Sequence, residues 1–335
     1  RSTLFPYTTL FRSLEAGKKY DLKIEYFQKG GGAAVNFIWK QKNASNNLFV
    51  EALNRNDLVV ACIGFNSDTE GEGRDRTFEL PEDEAQLLQN TLQSKRPVVG
   101  IVNAGGNVEM QSWEPSLKGL LWAWYGGQEA GTAIARTLFG ELNPSGKLPF
   151  TFPVRLEDVG AHKLGEYPGN KEELAKSKHS GDTINTTYHE DIFVGYRWAD
   201  KEKIKPLFPF GHGLSYTTFA YSKPSADKKT MTADDMISFT VNVKNTGTRE
   251  GQEVVQLYIS DKKFSLPRPV KELKAFQKVR LAPGEEKAVT LTIDKKALSF
   301  FDDAKHEWVA EPGRFEAIIG SSSRDIKGIV PFELK

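Results

Sequence analysis

Three short segments of nearly unbroken apolar residues constrain the fold most strongly. They read DLVVACIGF at residues 57–65, PVVGIVNAG at 97–105 and KGLLWAWYG at 118–126. Strands that are buried on both faces of a parallel sheet have this character, whereas strands with one solvated face alternate apolar and polar residues. The three segments therefore predict strands of a parallel sheet that is covered on both faces.

Helical sequence patterns lie between and after these segments. Residues 81–94 begin with Pro81, which suits the first turn of a helix, and continue with three acidic residues that favour the positive end of the helix dipole. Residues 127–146 repeat the form and end in a stop rich in Gly and Pro. The alternation predicts a βαβαβα unit of the α/β class. The acidic residues are Glu82, Asp83 and Glu84, and the apolar helix positions are Ala85, Leu88 and Leu92, then Ala130, Ile134 and Leu138.

Residues 220–335 follow a different pattern, in which apolar and polar residues alternate. Turn sequences separate the alternating segments at intervals typical of sandwiches, so we predict an antiparallel β-sandwich. Residues 18–40 alternate in the same way around a KGGG turn and predict one β-hairpin. The inward positions of the sandwich are expected to be Ile237, Phe239, Val241 and Val243, then Val255, Leu257 and Ile259, then Val289, Leu291 and Ile293.

Composition excludes several classes of protein. Lys and Arg total 45 against 44 Asp and Glu, so the net charge of +1 creates no field that would attract nucleic acid or an anionic membrane. No run of about 18 apolar residues predicts a membrane span, and residues 1–20 lack the layout of a signal peptide. The single cysteine, Cys62, excludes an internal disulfide and is expected to be a core residue within an apolar strand.

The first 13 residues require separate treatment. Their sequence, RSTLFPYTTLFRS, resembles the translation of a sequencing-adapter oligonucleotide, so we expect residues 1–13 to be an artefact and leave them out of the fold argument. We then expect the natural protein to continue upstream, where an export signal would not be visible in this chain.

The polar stretch SDTEGEGRDR, residues 67–76, directly follows the first predicted strand. Open α/β sheets bind ligands beyond the carboxyl ends of their strands, so this loop lies where a site is expected. Gly71 and Gly73 flank Glu72, and glycine lets the backbone approach a ligand closely or adopt a positive φ. A carboxylate on such a loop is able to reach into a neighbouring cleft.

Residue chemistry alone leaves two interpretations of this loop open. One of its carboxylates is a catalytic acid, or Glu70, Glu72 and Asp75 form a solvated acidic loop in which Asp75 pairs with Arg76. No other motif competes, because GIVNAGGNV lacks the spacing of a dinucleotide-binding loop and no zinc or serine-nucleophile motif is present. Metal-ligand spacing is also absent among the five histidines, which are His162, His179, His189, His212 and His306.

Four stretches resemble, in order and spacing, the C-terminal part of glycoside hydrolase family 3 enzymes, chiefly β-glucosidases. They are EGEGRDRTFELP (70–81), WYGGQEAGTAIARTLFGELNPSGKLPFTFP (124–153), YHEDIFVGYRWAD (188–200) and LFPFGHGLSYTTFAYS (207–222). The resemblance covers nearly everything after residue 57. It is specific, because four independent stretches coincide.

The resemblance also implies a division of the chain. Residues 14–42 are similar to the last hairpin of a protective-antigen-type β domain of the carbohydrate-binding kind, and residues 48–160 to the second half of an α/β sandwich domain. Residues 161–219 correspond to a linker that wraps back across a barrel, and residues 220–335 to a fibronectin type III-like domain. Three strands of about six then leave a sheet edge and apolar surface uncovered, which favours aggregation.

By the same resemblance, Glu72 occupies the position of the family's general acid/base glutamate. Such enzymes are retaining, and an aspartate nucleophile forms a glycosyl-enzyme intermediate. That nucleophile belongs to an N-terminal TIM-like barrel that this sequence lacks, so we expect the isolated chain to have no turnover. The residues expected to shape the loop are Gly71, Gly73, Asp75 and Arg76.

The implied substrate is a β-linked oligosaccharide or glucoside with a terminal, non-reducing β-D-glucosyl residue. The resemblance implies no cofactor, no metal and no nucleic-acid partner, and a periplasmic or secreted full-length protein; a homodimer of that protein is left open. Two alternatives remain. The enzyme is a β-xylosidase or another β-exoglycosidase, or the chain is a non-catalytic carbohydrate-binding or scaffold protein.

Several residues near the loop are further candidates. Trp113, after the second strand, is a candidate substrate-binding residue. Trp122 and Trp124 alternate on the third strand, where one ring would face a cleft, although aromatic residues in strands mostly pack in cores. Glu129 is expected to cap the helix that follows it. The linker residues expected to dock onto the barrel are Tyr188, Glu190, Tyr196 and Arg197.

Overall fold

A computed structural model describes the chain over residues 46–73, 75–177 and 182–335. The predicted hairpin at 18–40 and the segment 1–13 lie outside these residues. Within them, no helix is long and apolar enough to cross a membrane.

The first block contains a three-stranded parallel sheet. Its strands are β1 (Val59–Gly64), β2 (Val98–Asn103) and β3 (Gly119–Trp122), and β2 lies in the middle. Each predicted strand is present but is shorter than its apolar run. The parallel pairing brings the loops that follow all three strands to one edge of the sheet.

The crossovers of this sheet differ in kind. The first is a helix that begins directly after Pro81, as predicted, and buries Leu88. The second contains only the 3₁₀ turn Glu114–Ser116, so the predicted βαβαβα alternation is wrong at this point. Pro115 and the glycines after β2 bound a stretch too short for a stable helix. The helices of the block are α1 (Asn46–Asn54), α2 (Glu82–Leu92) and α3 (Ala130–Leu138).

Only one face of β1 is buried. Ala61 and Ile63 pack in the core, whereas Val60 is 40% exposed and Cys62 is exposed on the opposite face. The predictions that this strand is covered on both faces and that Cys62 is a core residue are therefore wrong. Side chains alternate across a strand, so apolar character at every position does not bury every position.

The linker between the two blocks contacts both of them. Phe152 of the first block and Phe208 form an isolated antiparallel bridge, in which the Phe152 N–H donates to the Phe208 carbonyl at 2.9 Å. The linker thereby returns to the first block before the sandwich begins. Its short helices are α4 (Gly160–Lys163), α5 (Lys171–Lys176) and α6 (Tyr196–Lys201).

The second block is the predicted β-sandwich, and all ten predicted inward positions from Ile237 to Ile293 are buried. One sheet has the order β10-β7-β4 with β5 also on β7, the other β6-β14-β13-β8-β9, and β11 pairs with β12. These strands are β4 (Phe219–Tyr221), β5 (Ser225–Ala226), β6 (Thr230–Met231), β7 (Ile237–Asn245), β8 (Gly251–Asp261), β9 (Glu272–Leu281), β10 (Glu286–Ile293), β11 (Phe300–Asp302), β12 (Glu307–Val309), β13 (Gly313–Gly320) and β14 (Ile326–Leu334), and α7 (Lys295–Leu298) follows β10.

The outer face of the larger sheet is covered by the linker. The Tyr196 ring of α6 meets the buried Tyr258 ring of β8 edge-on, with centroids 5.9 Å apart. The carboxylate of Asp200 pairs with the ammonium of Lys271 and, at 2.9 Å, with the guanidinium of Arg324. These contacts hold α6 against the sandwich.

Candidate functional site

The loop that carries the predicted acid leaves the sheet at the end of β1. Gly64 has φ +146°, and a Cβ there would lie 1.9 Å from the carbonyl oxygen of Asn103, so the close approach of β1 to β2 requires glycine. The loop then turns at Asn66, whose side-chain oxygen accepts from the Asp68 N–H at 2.8 Å. A second turn follows at Gly73, with φ +74°.

Glu70 is held at the start of the acidic segment by three groups. The Tyr125 hydroxyl donates to its Oε2 at 2.6 Å, the Gly105 N–H donates to the same oxygen at 3.2 Å, and Arg76 Nε lies 3.4 Å from Oε1. Partial burial would raise the pKa of Glu70, but these three partners outweigh it and the pKa is lowered. Burial, together with the bond to Glu70, raises the pKa of Tyr125 to about 12. Glu70 is thus a fixed carboxylate.

Arg76 is fixed as firmly as its partner. Its Nη2 donates to the carbonyl of Asn107 at 2.7 Å, and its guanidinium lies 4.3 Å from the centre of the Phe65 ring. Arg76 pairs with Glu70, so the Asp75–Arg76 pair that belongs to the solvated-loop interpretation is not the one that forms. The loop turns back on itself and brings Glu70 next to Arg76, although the two residues are six positions apart. The order of residues in the sequence does not reveal this contact.

Two glycines after β2 make room for this arrangement. A Cβ on Gly105 would lie 2.7 Å from Glu70 Oε1, and a Cβ on Gly106 would lie 3.0 Å from Arg76 Nη2. Larger residues at either position would push the ion pair away from the sheet. The Gly105–Gly106 pair does not match a dinucleotide-binding motif. Its role is to leave space for Glu70 and Arg76.

Asp75 is tied to the linker. The hydroxyl of Tyr167 donates to its Oδ1, and this bond, with some burial, raises the pKa of Tyr167 to about 12. The Tyr167 ring also packs against the ring of His162 in α4, with centroids 5.1 Å apart. Asp75 is thus a second anchored carboxylate, on the far side of the loop tip.

Glu72 lies between these two anchored residues and is exposed. It makes no hydrogen bond or ion pair with any other residue in the ranges 46–73, 75–177 and 182–335. The glycines on both sides of it, Gly71 and Gly73, are exposed as well. Of the three carboxylates in EGEGRD, Glu72 is the one without a tyrosine partner among the residues that the structure describes, although Asp75 is exposed as well.

The cleft beside this loop is small. It has a volume of about 180 Å³ and is lined by Arg76, Asn107 and Tyr167 among others, whereas ligand sites usually enclose roughly 300–1,000 Å³. A larger groove of about 550 Å³ lies at the end of α3 and contains none of the predicted site residues. No three His, Cys, Asp or Glu side chains of the described ranges come together as a metal site.

The three tryptophans mostly pack within the block. Trp113 is 8% exposed, and its indole N–H donates to the carbonyl of Glu109 at 2.7 Å. Trp122 packs edge-on to Phe152 at 4.7 Å, and Trp124 sits next to it with centroids 6.0 Å apart. These contacts give Trp113 a packing role; its contact with substrate stays a prediction that its burial does not favour.

Glu129 stands at the start of α3, as expected, but its side chain makes no capping hydrogen bond. The prediction that it caps the helix is therefore wrong. A 3₁₀ turn, Gly127–Glu129, leads into the helix and replaces the extended backbone that a capping side chain requires.

The linker residues are divided between solvent and the sandwich. Tyr188 is 75% exposed, whereas Glu190 is buried. The Tyr196 hydroxyl accepts from the Leu273 N–H at 2.9 Å, and Arg197 lies near the same strand. The predicted docking of this segment onto a barrel stays a prediction, while Tyr196 and Arg197 contact the sandwich.

Two tyrosines of the site were not predicted. Tyr125 follows β3 and so lies at the same edge of the sheet as the acidic loop, which is a signal that the sequence does carry. Tyr167 belongs to the linker, and no local pattern indicates its contact with Asp75. Only the return of the chain across the first block brings it there.

Known proteins have sequences similar to that of this chain. The glycosyl hydrolase family 3 C-terminal domain matches residues 6–216, and the fibronectin type III-like domain matches residues 253–323. β-Glucosidase BoGH3A of Bacteroides ovatus is 48% identical over 289 residues, which are 85% of this chain and 37% of that protein. Thermostable β-glucosidase B of Acetivibrio thermocellus is 41% identical over 312 residues, 90% of this chain and 39% of that protein. The chain thus spans less than two fifths of either relative.

Solved structures show the same likeness. The β-glucosidase of Kluyveromyces marxianus in complex with glucose has a TM-score of 0.77 and 37% identity, over 87% of this chain and 33% of that one. β-Glucosidase 3B of Thermotoga neapolitana in complex with α-D-glucose has a TM-score of 0.76 and 36% identity, over 87% of this chain and 39% of that one. Because the family 3 C-terminal domain matches residues 6–216, which are more than half of the chain, this chain belongs to glycoside hydrolase family 3.

Proposed function

We propose that Glu72 is the general acid/base of a retaining β-glucosidase to which this chain contributes the α/β and fibronectin-like parts. The observation that carries the proposal is the state of the three loop carboxylates. Glu70 and Asp75 are engaged by tyrosine hydroxyls, whereas Glu72 is exposed between them. The similar proteins named β-glucosidases, and the similar structures that hold glucose, support this choice of reaction.

In this reaction Glu72 acts twice. Protonated Glu72 donates its proton to the glycosidic oxygen as the C–O bond breaks and a nucleophilic carboxylate bonds to the anomeric carbon. The resulting Glu72 carboxylate then removes a proton from the water that displaces the enzyme from the sugar. Retaining enzymes hold the two carboxyl groups about 5–5.5 Å apart, so the surface that supplies the nucleophile must close over the loop tip.

The small size of the cleft agrees with a shared site. A cavity of about 180 Å³ is too small for a typical ligand site, and the acid lies exposed beside it. We therefore propose that a β-D-glucosyl substrate binds between this surface and the nucleophile-bearing domain. We expect the isolated chain to hydrolyse an aryl β-glucoside no faster than its Glu72→Gln variant; faster hydrolysis would contradict this division of the site.

The catalytic role of Glu72 is testable in a chimera. In it, this chain replaces the matching segment of the Bacteroides ovatus β-glucosidase. Glu72→Gln should lower kcat/KM by about 10²–10⁴-fold on a β-glucoside with a poor leaving group, because that bond requires a proton. On an activated aryl β-glucoside, azide should restore turnover, because it attacks the intermediate without base assistance.

The matched control is Glu79→Gln, which removes an exposed carboxylate from the same loop region. This variant should leave kcat/KM within twofold of the unmodified chimera. An unchanged rate in the Glu72→Gln chimera would overturn the proposal and favour another acid, or a role of this chain in carbohydrate binding or scaffolding.

A further inference from the structure

We propose that Tyr125 and Tyr167 are positioning residues that fix the loop tip on which Glu72 acts. The inference rests on the proposed role of Glu72. We call the two hydrogen-bonded pairs, Tyr125 with Glu70 and Tyr167 with Asp75, the tyrosine clamp.

The first pair anchors the loop two residues before Glu72. The Tyr125 hydroxyl lies 2.6 Å from the Glu70 carboxylate, and hydrogen bonds to an ionised acceptor are about twice as strong as neutral ones. Gly105 and Arg76 fill the other sides of the same carboxylate. Because these partners follow all three strands of the sheet, the anchor is rigid.

The second pair anchors the loop three residues after Glu72. The Tyr167 hydroxyl donates to Asp75, and the Tyr167 ring is supported by His162. This anchor comes from the linker and not from the sheet. The loop tip is therefore fixed on two independent parts of the fold.

Within the described residues, no polar partner fixes the position of Glu72. It is exposed and has no hydrogen bond or ion pair within the described parts of the chain. The position of its carboxylate therefore depends on where the two ends of the tip are held. A misplacement of about 1 Å can cost a catalytic group about 10²-fold in rate, so the clamp is a determinant of turnover.

The physical effect of the clamp is measurable in the full chain without any substrate. Tyr125→Phe and Tyr167→Phe remove one hydroxyl each and keep the ring. Amide hydrogen exchange in residues 66–77 should become faster in both variants and remain unchanged elsewhere. The control is Tyr216→Phe, which removes a hydroxyl that donates to the Thr137 carbonyl at 3.0 Å, away from the loop.

The catalytic effect is measurable in the chimera. Each Phe variant should lower kcat on an alkyl β-glucoside by about 10–100-fold with little change in KM. The loss should be smaller on an aryl β-glucoside whose leaving group needs no proton. In the Glu72→Gln background, the Phe substitutions should cause no further loss, because the clamp acts only through Glu72.

The outcomes separate this inference from the proposed function. Two outcomes would overturn the clamp and leave the proposed role of Glu72 intact. In the first, Glu72→Gln lowers the activity of the chimera but the Phe variants do not. In the second, the Phe variants lower the activity further in the Glu72→Gln background. If Glu72→Gln has no effect, the proposed function is overturned, and faster exchange would support the clamp as a structural device only. If a Phe variant does not fold, Glu70→Gln or Asp75→Asn removes the same charged bond from the acceptor side and should give the same losses.

Discussion

At the scale of single residues, the structure separates side chains that the sequence presents as equals. Glu70, Glu72 and Asp75 are neighbours of one chemical type, yet two are anchored by tyrosines and one is exposed. Their number and spacing are visible in the sequence. Their partners are not, because each partner is brought in by another element.

Cys62 gives a prediction at this scale. The thiol lies on the exposed face of β1, and partial burial, with Glu84 nearby, raises its pKa. The thiolate is the reactive form. Iodoacetamide should therefore label the native chain fully at its single cysteine, but more slowly than it labels glutathione at neutral pH, as followed by mass spectrometry. Labelling that begins only after unfolding would indicate that Cys62 is buried in the core and would contradict this prediction.

The buried carboxyl groups of Glu166 and Glu190 give a second prediction. The hydrogen bond that links Glu190 to Glu166, together with burial, raises the pKa of Glu190. Burial opposes the shift of Glu166, but the bonds from Glu190 and from the His189 N–H, at 2.7 Å, lower its pKa. The folded chain therefore favours a protonated Glu190 beside an ionised Glu166.

The sign of the pH dependence follows from the folded chain holding the proton of Glu190 more tightly than the unfolded chain. This stabilisation is full below the ordinary pKa of glutamate and is lost as pH rises through the raised pKa of Glu190. Glu190→Gln stays neutral, so its unfolding free energy should lack this loss, as measured by denaturant titration at several pH values. The control Glu172→Gln should keep it, and parallel pH profiles for Glu190→Gln and the parent would contradict the raised pKa of Glu190.

At the scale of elements, the linker decides which sheet faces are buried. The VVQLYIS segment predicts one inward face for β8, and that face is buried as expected. Its outward residues, such as Tyr258 and Gln256, are buried as well. Tyr258 meets Tyr196 of α6, and Gln256 donates to the carbonyl of Gly211 in the linker at 3.2 Å.

The ion pairs of α6 give a prediction for this element. The side chains of Asp200 and Lys271 are almost fully buried, whereas Arg324 is 41% exposed, and removing one member of a buried ion pair costs about 3–5 kcal/mol. Asp200→Asn should lower the unfolding free energy by this amount in a denaturant titration. Glu202→Gln, which breaks only a surface pair with Lys163, should cost about 0–1 kcal/mol. Equal losses would show that α6 is not held by its buried charges.

At the scale of the whole molecule, the sandwich has a closed core whereas the parallel sheet has an open side. Within residues 46–335 as described above, β1 lies at one edge of its sheet; Val60 is exposed on it, and Leu58 is exposed just before it. Exposed apolar residues on a strand at the edge of a sheet favour self-association. This agrees with the expectation of uncovered apolar surface from the strand count.

This open side gives the last prediction. Val60→Lys places a charge on the exposed face of the edge strand and should reduce concentration-dependent association of the chain, as measured by light scattering or sedimentation. Leu214→Lys changes an equally apolar residue that is 77% exposed in the linker, and should have little effect. Equal reductions would indicate non-specific association in place of pairing at β1.

Much of the fold and part of the site are readable from the sequence, for physical reasons. The alternating residues of the sandwich predict buried positions correctly because one face of each strand meets a single core. The continuous apolar runs locate β1 to β3 but predict a buried Cys62. An apolar residue is able to lie in a core, but its type does not show whether another element covers it. The position of Glu72 follows from the family motif, while the buried place of Trp113 does not follow from its position after a strand.

By itself the sequence determined the three parallel strands, the helices α2 and α3, the sandwich, the family, and the loop that carries Glu72, because these depend on periodicity and on residues close together in the chain. The tertiary structure decided the partners of that loop. Glu70 and Tyr125 are 55 residues apart, and Asp75 and Tyr167 are 92 apart. Such contacts depend on how parallel strands align their loops and how the linker returns across them, which packing sets and no local pattern records.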